Sequence, residues 1–238
     1  MLGYDEQVAA VYDEVQQDRF AEAETTVDLL AELAGAGPVL ELGVGTGRLA
    51  LPLARRGLTV HGIDASAPMV DRLRAKPGGD SIGVVMGDIA DIGSLISGPY
   101  TLVVVAFNTL FELATQEEQA RCLAGVAAAL AAVGVFVVEA LVPYVDAEQA
   151  VSVRNLDGGG VVLDAGARDV SQRVRFATIT LTEERTGVRT GGIRYATVPE
   201  LDLMARLAGL RLRERWADWR REPFTASSAR HVSVYEKR

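Results

Sequence analysis

Through the first 142 positions, short runs of consecutive apolar residues alternate with stretches whose apolar residues recur every three or four positions. Val8, Val11, Tyr12 and Val15 keep helical spacing, and a second helix is predicted from Arg19 to Leu33, stopped by Gly35, Gly37 and Pro38. Strands are predicted over Pro38–Leu42, Leu58–Ile63, Ile82–Met86, Tyr100–Ala106 and Gly134–Glu139. Between them lie a glycine turn (43–47) and helices over Arg48–Arg56, Ala67–Lys76 and Gln116–Ala132. The run Tyr100–Ala106 is almost wholly apolar, as a strand covered by helices on both faces requires. Strands alternating with helices predict an α/β fold built on a doubly wound parallel sheet.

The rhythm changes after Pro143. No good helical stretch occurs over 151–197, which reads as three extended segments near 151–165, 170–183 and 188–197. Turns are expected at 158–160 and at Thr186-Gly187, giving an antiparallel insertion. Pro199–Ala208 is a predicted helix with Gly209 just past its end, followed by closing strands at Leu210–Trp219 and His231–Glu236. The chain thus divides into an N-terminal helical segment (1–34), a core (35–142), the insertion (143–198) and a C-terminal return to the core (199–238).

Composition removes several classes of function. A chain of 238 residues, 49% hydrophobic and 24% charged, is globular and not disordered. A net charge of −8, with basic residues scattered, gives no concentrated basic face for phosphates, so no nucleic-acid partner is expected. No apolar run reaches the roughly 18 residues of a membrane span; the longest candidate, Val126 to Val142, is broken by Gly134 and Glu139. The acidic start MLGYDEQ lacks the regions of a signal peptide, and a cytoplasmic protein with no membrane partner is expected. Cys122 is the single cysteine, which excludes an internal disulfide and a cysteine zinc site. With two histidines, any metal would have to rest mainly on carboxylates, and none is expected.

The strongest chemical signal is Val39-Leu-Glu-Leu-Gly-Val-Gly-Thr-Gly-Arg48, a strand entering a glycine turn that opens a helix. Gly43, Gly45 and Gly47 permit positive φ and close approach of a ligand to the backbone, beside free helix N-terminal amides. Dinucleotide enzymes use the same device, but their third glycine would fall at position 48, where Arg48 stands. Glu41, at the strand end, would repel a pyrophosphate and favour an ammonium or sulfonium. Asp64 ends the second strand about 20 residues on, where a carboxylate accepts ribose hydroxyls. Gly87-Asp88-Ile89 ends the third, where an acid can accept from an exocyclic adenine amine. Each acid also has a structural reading: Glu41 pairing with Arg48, Asp64 with Ser66 as a helix cap, Asp88 as a turn residue.

On ELGVGTGRL (41–49), VHGIDAS (60–66), GDIADI (87–92) and VVVAFNTL (103–110), together with the element order, the chain resembles the class I S-adenosylmethionine-dependent methyltransferases. The resemblance implies a Rossmann-like seven-stranded sheet, helices on both faces, and a small antiparallel β insertion serving as substrate lid or dimer element. It implies S-adenosylmethionine as cofactor and S-adenosylhomocysteine as product. Gly43, Gly45 and Gly47 would approach the methionine part with Glu41 nearby. Asp64 would hold the ribose, Asp88 and Ile89 would frame the adenine, and Ala106, Phe107 and Asn108 would line the methionine side. Arg48, Ala65, Met69 and Gly87 complete the implied cofactor contacts. Arg194-Tyr195, the run 199–209 and the run 222–228 are similar to actinobacterial natural-product methyltransferases, which include enzymes methylating peptide N-terminal amines and lie near amino-sugar N-methyltransferases.

Acceptor chemistry is read from what remains. Tyr4 and Tyr12 stand at i and i+8, within about 80° on one helical face; the N-terminal segment then folds over the cofactor with Tyr12 in contact, or both rings simply pack. Asn108 either orients an acceptor or satisfies a loop. Tyr12 and Asn108 are the catalytic candidates, and Tyr4, Phe111, Tyr195 and Trp216 the acceptor contacts, with packing as the competing reading of the aromatics. The fourth strand lacks a Pro-Pro-Tyr core, which weighs against planar amino groups. A hydroxyl acceptor needs a committed base, usually histidine, whereas an amine needs only a proton sink such as Tyr12, Glu112 or water. His61 and His231 both read as structural, so nitrogen is favoured: an amino sugar, a small amine or a peptide N-terminus. O- or C-methylation, and a non-methylating cyclase or isomerase using the same cofactor, are the alternatives. A homodimer is possible.

Overall fold

The computed structural model describes residues 4–16, 23–143, 149–156, 159–168, 171–183 and 186–238. The first helix, α1 (Glu6–Val15), begins where the Asp5 carboxylate accepts from Val8 N at 3.0 Å. The second, α2 (Ala23–Ala34), is described from Ala23; positions 19–22 of its predicted span lie outside the described residues. All five predicted core strands form: β1 (Val39–Leu42), β2 (Val60–Asp64), β3 (Gly83–Met86), β4 (Tyr100–Val105) and β5 (Leu130–Leu141). They alternate with α3 (Ala50–Arg55), α4 (Ala67–Arg74), the short α5 (Ile92–Leu95) and α6 (Gln116–Ala129).

β5 starts earlier than the apolar pattern predicts, and α6 stops earlier. Leu130 already pairs with Tyr100 of β4, and the register then shifts so that Leu102 faces Val135. Gly134 sits at this irregularity, where a Cβ would come within 2.6 Å of the Tyr100 carbonyl oxygen.

Among its described residues the insertion holds four strands, not three: β6 (Gln149–Asn155), β7 (Val161–Arg168), β8 (Arg173–Leu181) and β9 (Thr186–Arg194). The segment expected at 151–165 folds back on itself, because Gly159 and Gly160 take φ of 83° and 129° and Leu156 N donates to Gly160 O. Thr186-Gly187, expected as a turn, pairs with Leu181 and Thr180 instead. The chain closes with α7 (Val198–Leu207), β10 (Leu210–Trp216) and β11 (Arg230–Lys237). β10 ends at Trp216, short of the predicted Trp219, because the Asp218 carboxylate gathers the amides of Arg220 and Glu222 into a turn.

The main sheet runs β10-β11-β5-β4-β1-β2-β3. β3, β2, β1, β4 and β5 are parallel, while β11 pairs antiparallel with both β5 and β10. Alternation along the central strands divides the core in two. Val103 and Val105 of β4, with Phe136 and Val138 of β5, pack against Leu123 and Val126 of α6 and Leu201 of α7. Leu102, Val104, Val135 and Val137 face the other way, against Leu30 of α2 and Leu53 of α3. The sheet therefore has buried faces on both sides, with every residue of β1 buried. The four insertion strands form a separate antiparallel sheet, ordered β6-β7-β8-β9, whose Val162 packs with Val11 and Val15 of α1. Among the described residues, no helix is long and apolar enough to cross a membrane.

Candidate active site

The carboxyl ends of β1, β2, β3 and β4 open onto one cavity of about 430 Å³. That is where ligands sit in open α/β sheets, outside the strand ends. Gly43 and Gly45 line it from the β1 turn; Asp64, Ala65, Ser66, Ala67, Pro68 and Met69 from the end of β2; Gly87, Asp88 and Ile89 from the end of β3; and Thr109, Glu112 and Leu113 from the loop after β4. Tyr4, Asp5 and Tyr12 close it from the N-terminal segment.

Sequence dictates this geometry locally. Gly43, Gly45 and Gly47 all carry positive φ, at 73°, 53° and 84°. A Cβ on Gly43 would strike Thr109 Cγ2 at 2.5 Å, and one on Gly47 would strike Leu73 Cδ1 at 2.2 Å. The turn is thus packed against the β4 loop on one side and α4 on the other. Asp64 ties β2 to it: Oδ2 accepts from Gly45 N at 2.7 Å and Oδ1 from Ser66 N at 2.8 Å. Burial pushes the Asp64 carboxyl above its ordinary value, against the pull of its hydrogen bonds from the Ser66, Gly45 and Ala65 amides. Ser66 caps α4 and donates its hydroxyl to Tyr4 O at 2.7 Å. Asp88 caps the turn after β3, accepting from Ala90 N at 2.8 Å.

Besides the Ser66 bond, Tyr4 and Asp13 fasten the N-terminal segment. The Tyr4 hydroxyl donates to Glu112 Oε1 at 2.8 Å. Asp13 on α1 pairs with Lys76 and accepts from Thr46 Oγ1 at 2.6 Å, while Lys76 Nζ also donates to Thr46 O at 2.8 Å. Tyr4 precedes α1, so its edge-to-face contact with Tyr12, at 5.9 Å between ring centres, comes from the path of the chain and not from an i, i+8 helical face.

Glu41 lies under the turn and is not on the cavity wall. It is 5% exposed, and its Oε2 has no hydrogen-bond partner. Burial raises its pKa from 4.5 to about 8, opposed by the charge of Arg48 and a hydrogen bond from the Ala50 amide. The carboxyl is therefore mostly protonated at pH 7, and its expected attraction for a cation is correspondingly weakened. Gly47 and Arg48 also lie off the wall.

Asn108 has another employment. Phe107 and Asn108 take φ of 55° and 64°, a left-handed pair directly after β4. Asn108 Oδ1 accepts from Leu141 N at 2.7 Å, and Glu139 Oε2 accepts from Phe107 N at 3.0 Å. The Asn108 side chain thus holds the loop to β5, and Ala106, Phe107 and Asn108 are not among the residues that line the cavity. Phe111 is fully buried in the core beside α6. Tyr195 packs partly buried against the same cluster, and Trp216 lies in the opposite cluster with Arg221 over its ring. Neither reaches the cavity.

Sequence reasoning did not single out Asp5, Ser66 (read only as a helix cap), Ala67, Pro68, Thr109 or Leu113 as wall residues. Ser-Ala-Pro after Asp64 is a readable helix start, and helix starts at strand ends face the cavity. Thr109 and Leu113 carry no comparable signal. The histidines stay apart from the site. His61 Nδ1 meets the Tyr100 hydroxyl at 3.0 Å within the sheet. His231 is fully buried with Nδ1 against Ser233 Oγ at 2.8 Å, and burial lowers its pKa to about 4.

A seven-stranded sheet of this order, with a glycine turn after β1 and acids ending β2 and β3, is a Rossmann-like methyltransferase arrangement. Residues 39–134 match the methyltransferase domain family. Over 218 residues the chain is 29% identical to the cypemycin N-terminal methyltransferase of a Streptomyces species, covering 84% of this chain and 82% of that protein. The CcbJ methyltransferase from Streptomyces caelestis is 40% identical and superposes with a TM-score of 0.88, over 98% of this chain and 97% of that one. The S-adenosylmethionine-bound amino pentose methyltransferase CalS10 from Micromonospora echinaspora shares the fold, with a TM-score of 0.74 at 19% identity over 95% and 97% of the two chains. The chain belongs to the class I S-adenosylmethionine-dependent methyltransferases, and within them it resembles those of natural-product biosynthesis.

Proposed function

We propose that this enzyme transfers a methyl group from S-adenosylmethionine to an amine nitrogen of a small natural product, an amino sugar or a peptide N-terminus, releasing S-adenosylhomocysteine. One observation carries the choice of nitrogen. Among the described residues, the charged side chains on the cavity wall are Asp5, Asp64, Asp88 and Glu112, with no Lys, Arg or His beside them. Such a wall favours cations on both sides of the reaction and offers no imidazole to deprotonate a hydroxyl. The relative named for an N-terminal methyltransferase supports the same reading.

The residues present fit the donor. Gly43 and Gly45 keep the wall free of side chains where the β1 turn meets it. Asp64 has acceptor capacity beyond its amide bonds for ribose hydroxyls, and Asp88 stands at the β3 end for the adenine amine. S-adenosylmethionine supplies, when bound, a methyl group on a sulfonium, ready for in-line displacement. The protein's own work is to position the acceptor, to exclude water beneath the N-terminal segment, and to receive a proton.

The test is incubation of the purified protein and S-adenosylmethionine with glucosamine, benzylamine, N-methylbenzylamine and Ala-Phe, each beside its hydroxyl counterpart. Release of S-adenosylhomocysteine with a new N-methyl group by mass spectrometry and NMR is expected. Methyl on oxygen or carbon, with the amines untouched, overturns the assignment.

A further inference from the structure

We infer that the groove between α1 and the insertion sheet receives the apolar arm of the methyl acceptor, so that the acceptor is an amine carrying a compact alkyl or aryl substituent; the inference rests on the methyl-transfer reading above. A second cavity, of about 80 Å³, adjoins the first and shares Asp5 and Tyr12 with it. No strand end of the core lines it. Val8, Val11 and Val15, on one face of α1, form one side, and Thr178, Thr180 and Gly187 of β8 and β9 form the other. Among the described residues, Asp5 is the charged one on its wall, and it stands at the junction with the first cavity. Charge therefore falls from four carboxylates around the first cavity to none beyond that junction.

Size separates the two occupants. A water-sized group needs about 10–15 Å³ of cavity, so the first cavity, at about 430 Å³, admits about 30–40 such groups and the second about 5–8. S-adenosylmethionine, with about 27 non-hydrogen atoms, takes most of the first and leaves room there for the reacting group of an acceptor. The rest of the acceptor extends out of it, and the space across Asp5 and Tyr12 is apolar and of the size of a short alkyl chain or one ring.

The sheet's register makes the groove. Thr180 pairs with both Val162 and Gly187, and paired residues of an antiparallel sheet share a face. Val162 packs against Val11 and Val15, so Gly187 lies on the face turned to α1. Thr178, two positions from Thr180 on that face, donates its hydroxyl to Asp164 Oδ1 at 2.7 Å, which engages its polar end within the sheet. Gly187 leaves the groove open. Among the described atoms, a Cβ there would meet Thr180 Cβ at 3.9 Å, an ordinary van der Waals contact, and Gly187 is not at positive φ. A side chain at this position would therefore fill the groove without straining the strand.

The test titrates propylamine, hexylamine and diglycolamine, whose arm matches hexyl in length but carries oxygens, into the full-length protein saturated with S-adenosylhomocysteine. Each buried methylene gains about fourfold, so hexylamine binds about 50-fold more tightly than propylamine, and diglycolamine falls near propylamine. Gly187→Leu fills the groove and cuts the hexyl-to-propyl ratio below about fivefold. Thr190→Leu adds bulk to the same strand on the opposite face and keeps the wild-type ratio. A wild-type ratio near one, a ratio that survives Gly187→Leu, a ratio lost equally in Thr190→Leu, or diglycolamine matching hexylamine overturns the inference. Where these amines turn over, kcat/KM follows the same ratio, and N-methylation without it also overturns the inference. A binding ratio that Gly187→Leu abolishes, with no amine methylated, leaves the groove standing and removes the amine reading of the reaction instead.

Discussion

Glu41 gives the sharpest quantitative prediction. Burial beneath the glycine turn raises its pKa from 4.5 to about 8, so the folded state holds a proton that the unfolded chain releases above pH 4.5. The sign follows. This group's contribution to stability is fully present below the unfolded value and is lost as pH rises through the folded value. Integrating that difference between about pH 5.5 and 8 gives a loss of about 3 kcal/mol. For a chain of this size that is a fall in Tm of about 6–12 °C. Glu41→Gln retains a side-chain oxygen for the Ala50 amide and cannot ionise. Its stability should stay level where the wild type declines, so that the variant becomes the more stable protein near pH 8. The assay is urea unfolding at intervals across this range without donor, read as variant minus wild type. The subtraction matters because His231, with its pKa lowered to about 4, drives stability the other way below pH 6.5. A difference between the two proteins that does not change with pH would refute the burial argument.

Three further outcomes follow from the same geometry. Asp64→Ala should weaken S-adenosylhomocysteine binding by about 1–3 kcal/mol in calorimetry, because ribose hydroxyls lose a charged acceptor and the Gly45 amide loses its partner; equal affinity would remove Asp64 from the donor site. His231 is neutral when folded, so stability present above pH 6.5 is lost as pH falls toward 4; His231→Gln should abolish about 2–3 kcal/mol of that acid sensitivity in urea unfolding. Lys76→Met should weaken the Asp13 anchor of α1 and accelerate limited proteolysis of the N-terminal segment several-fold, with little change in Tm because the pair is partly solvated; an unchanged cleavage rate would show that the Lys76 pair does not hold the segment.

Legibility differed by layer. The five parallel strands could be read from apolar runs because both faces of the sheet are covered, which leaves each strand a continuous hydrophobic word. The glycine turn and the acids at 64 and 88 could be read from spacing, since backbone conformation and strand ends fix where those residues stand. The insertion was less legible: its exposed valines, among them Val151, Val153 and Val188, blur the alternation that marks strand limits, and so four strands read as three. Aromatic roles were illegible for a different reason. Phe111 and Trp216 are apolar residues near strand ends, and only packing decides that they face the two core clusters and not the cavity. Glu41 was legible as an acid at a strand end, but its charge state depends on burial, which spacing does not report.

Asn108 shows how the β4 side of the cavity is held in place. Two consecutive non-glycine residues at positive φ cost of order 1–3 kcal/mol each. They persist because β5 clamps them: Glu139 accepts from Phe107 N, Asn108 N donates to Glu139 O, and Asn108 Oδ1 takes the amide of Leu141. The short turn that follows, Thr109–Glu112, starts from this strained pair, and its two ends reach the cavity. The strain is therefore a positioning device. A relaxed turn would let the β4 loop drift, whereas this one fixes Thr109 against Gly43 and Glu112 against Tyr4. The Gly43 side and the Glu112 side of the cavity then share one origin, the carboxyl edge of β1, β4 and β5.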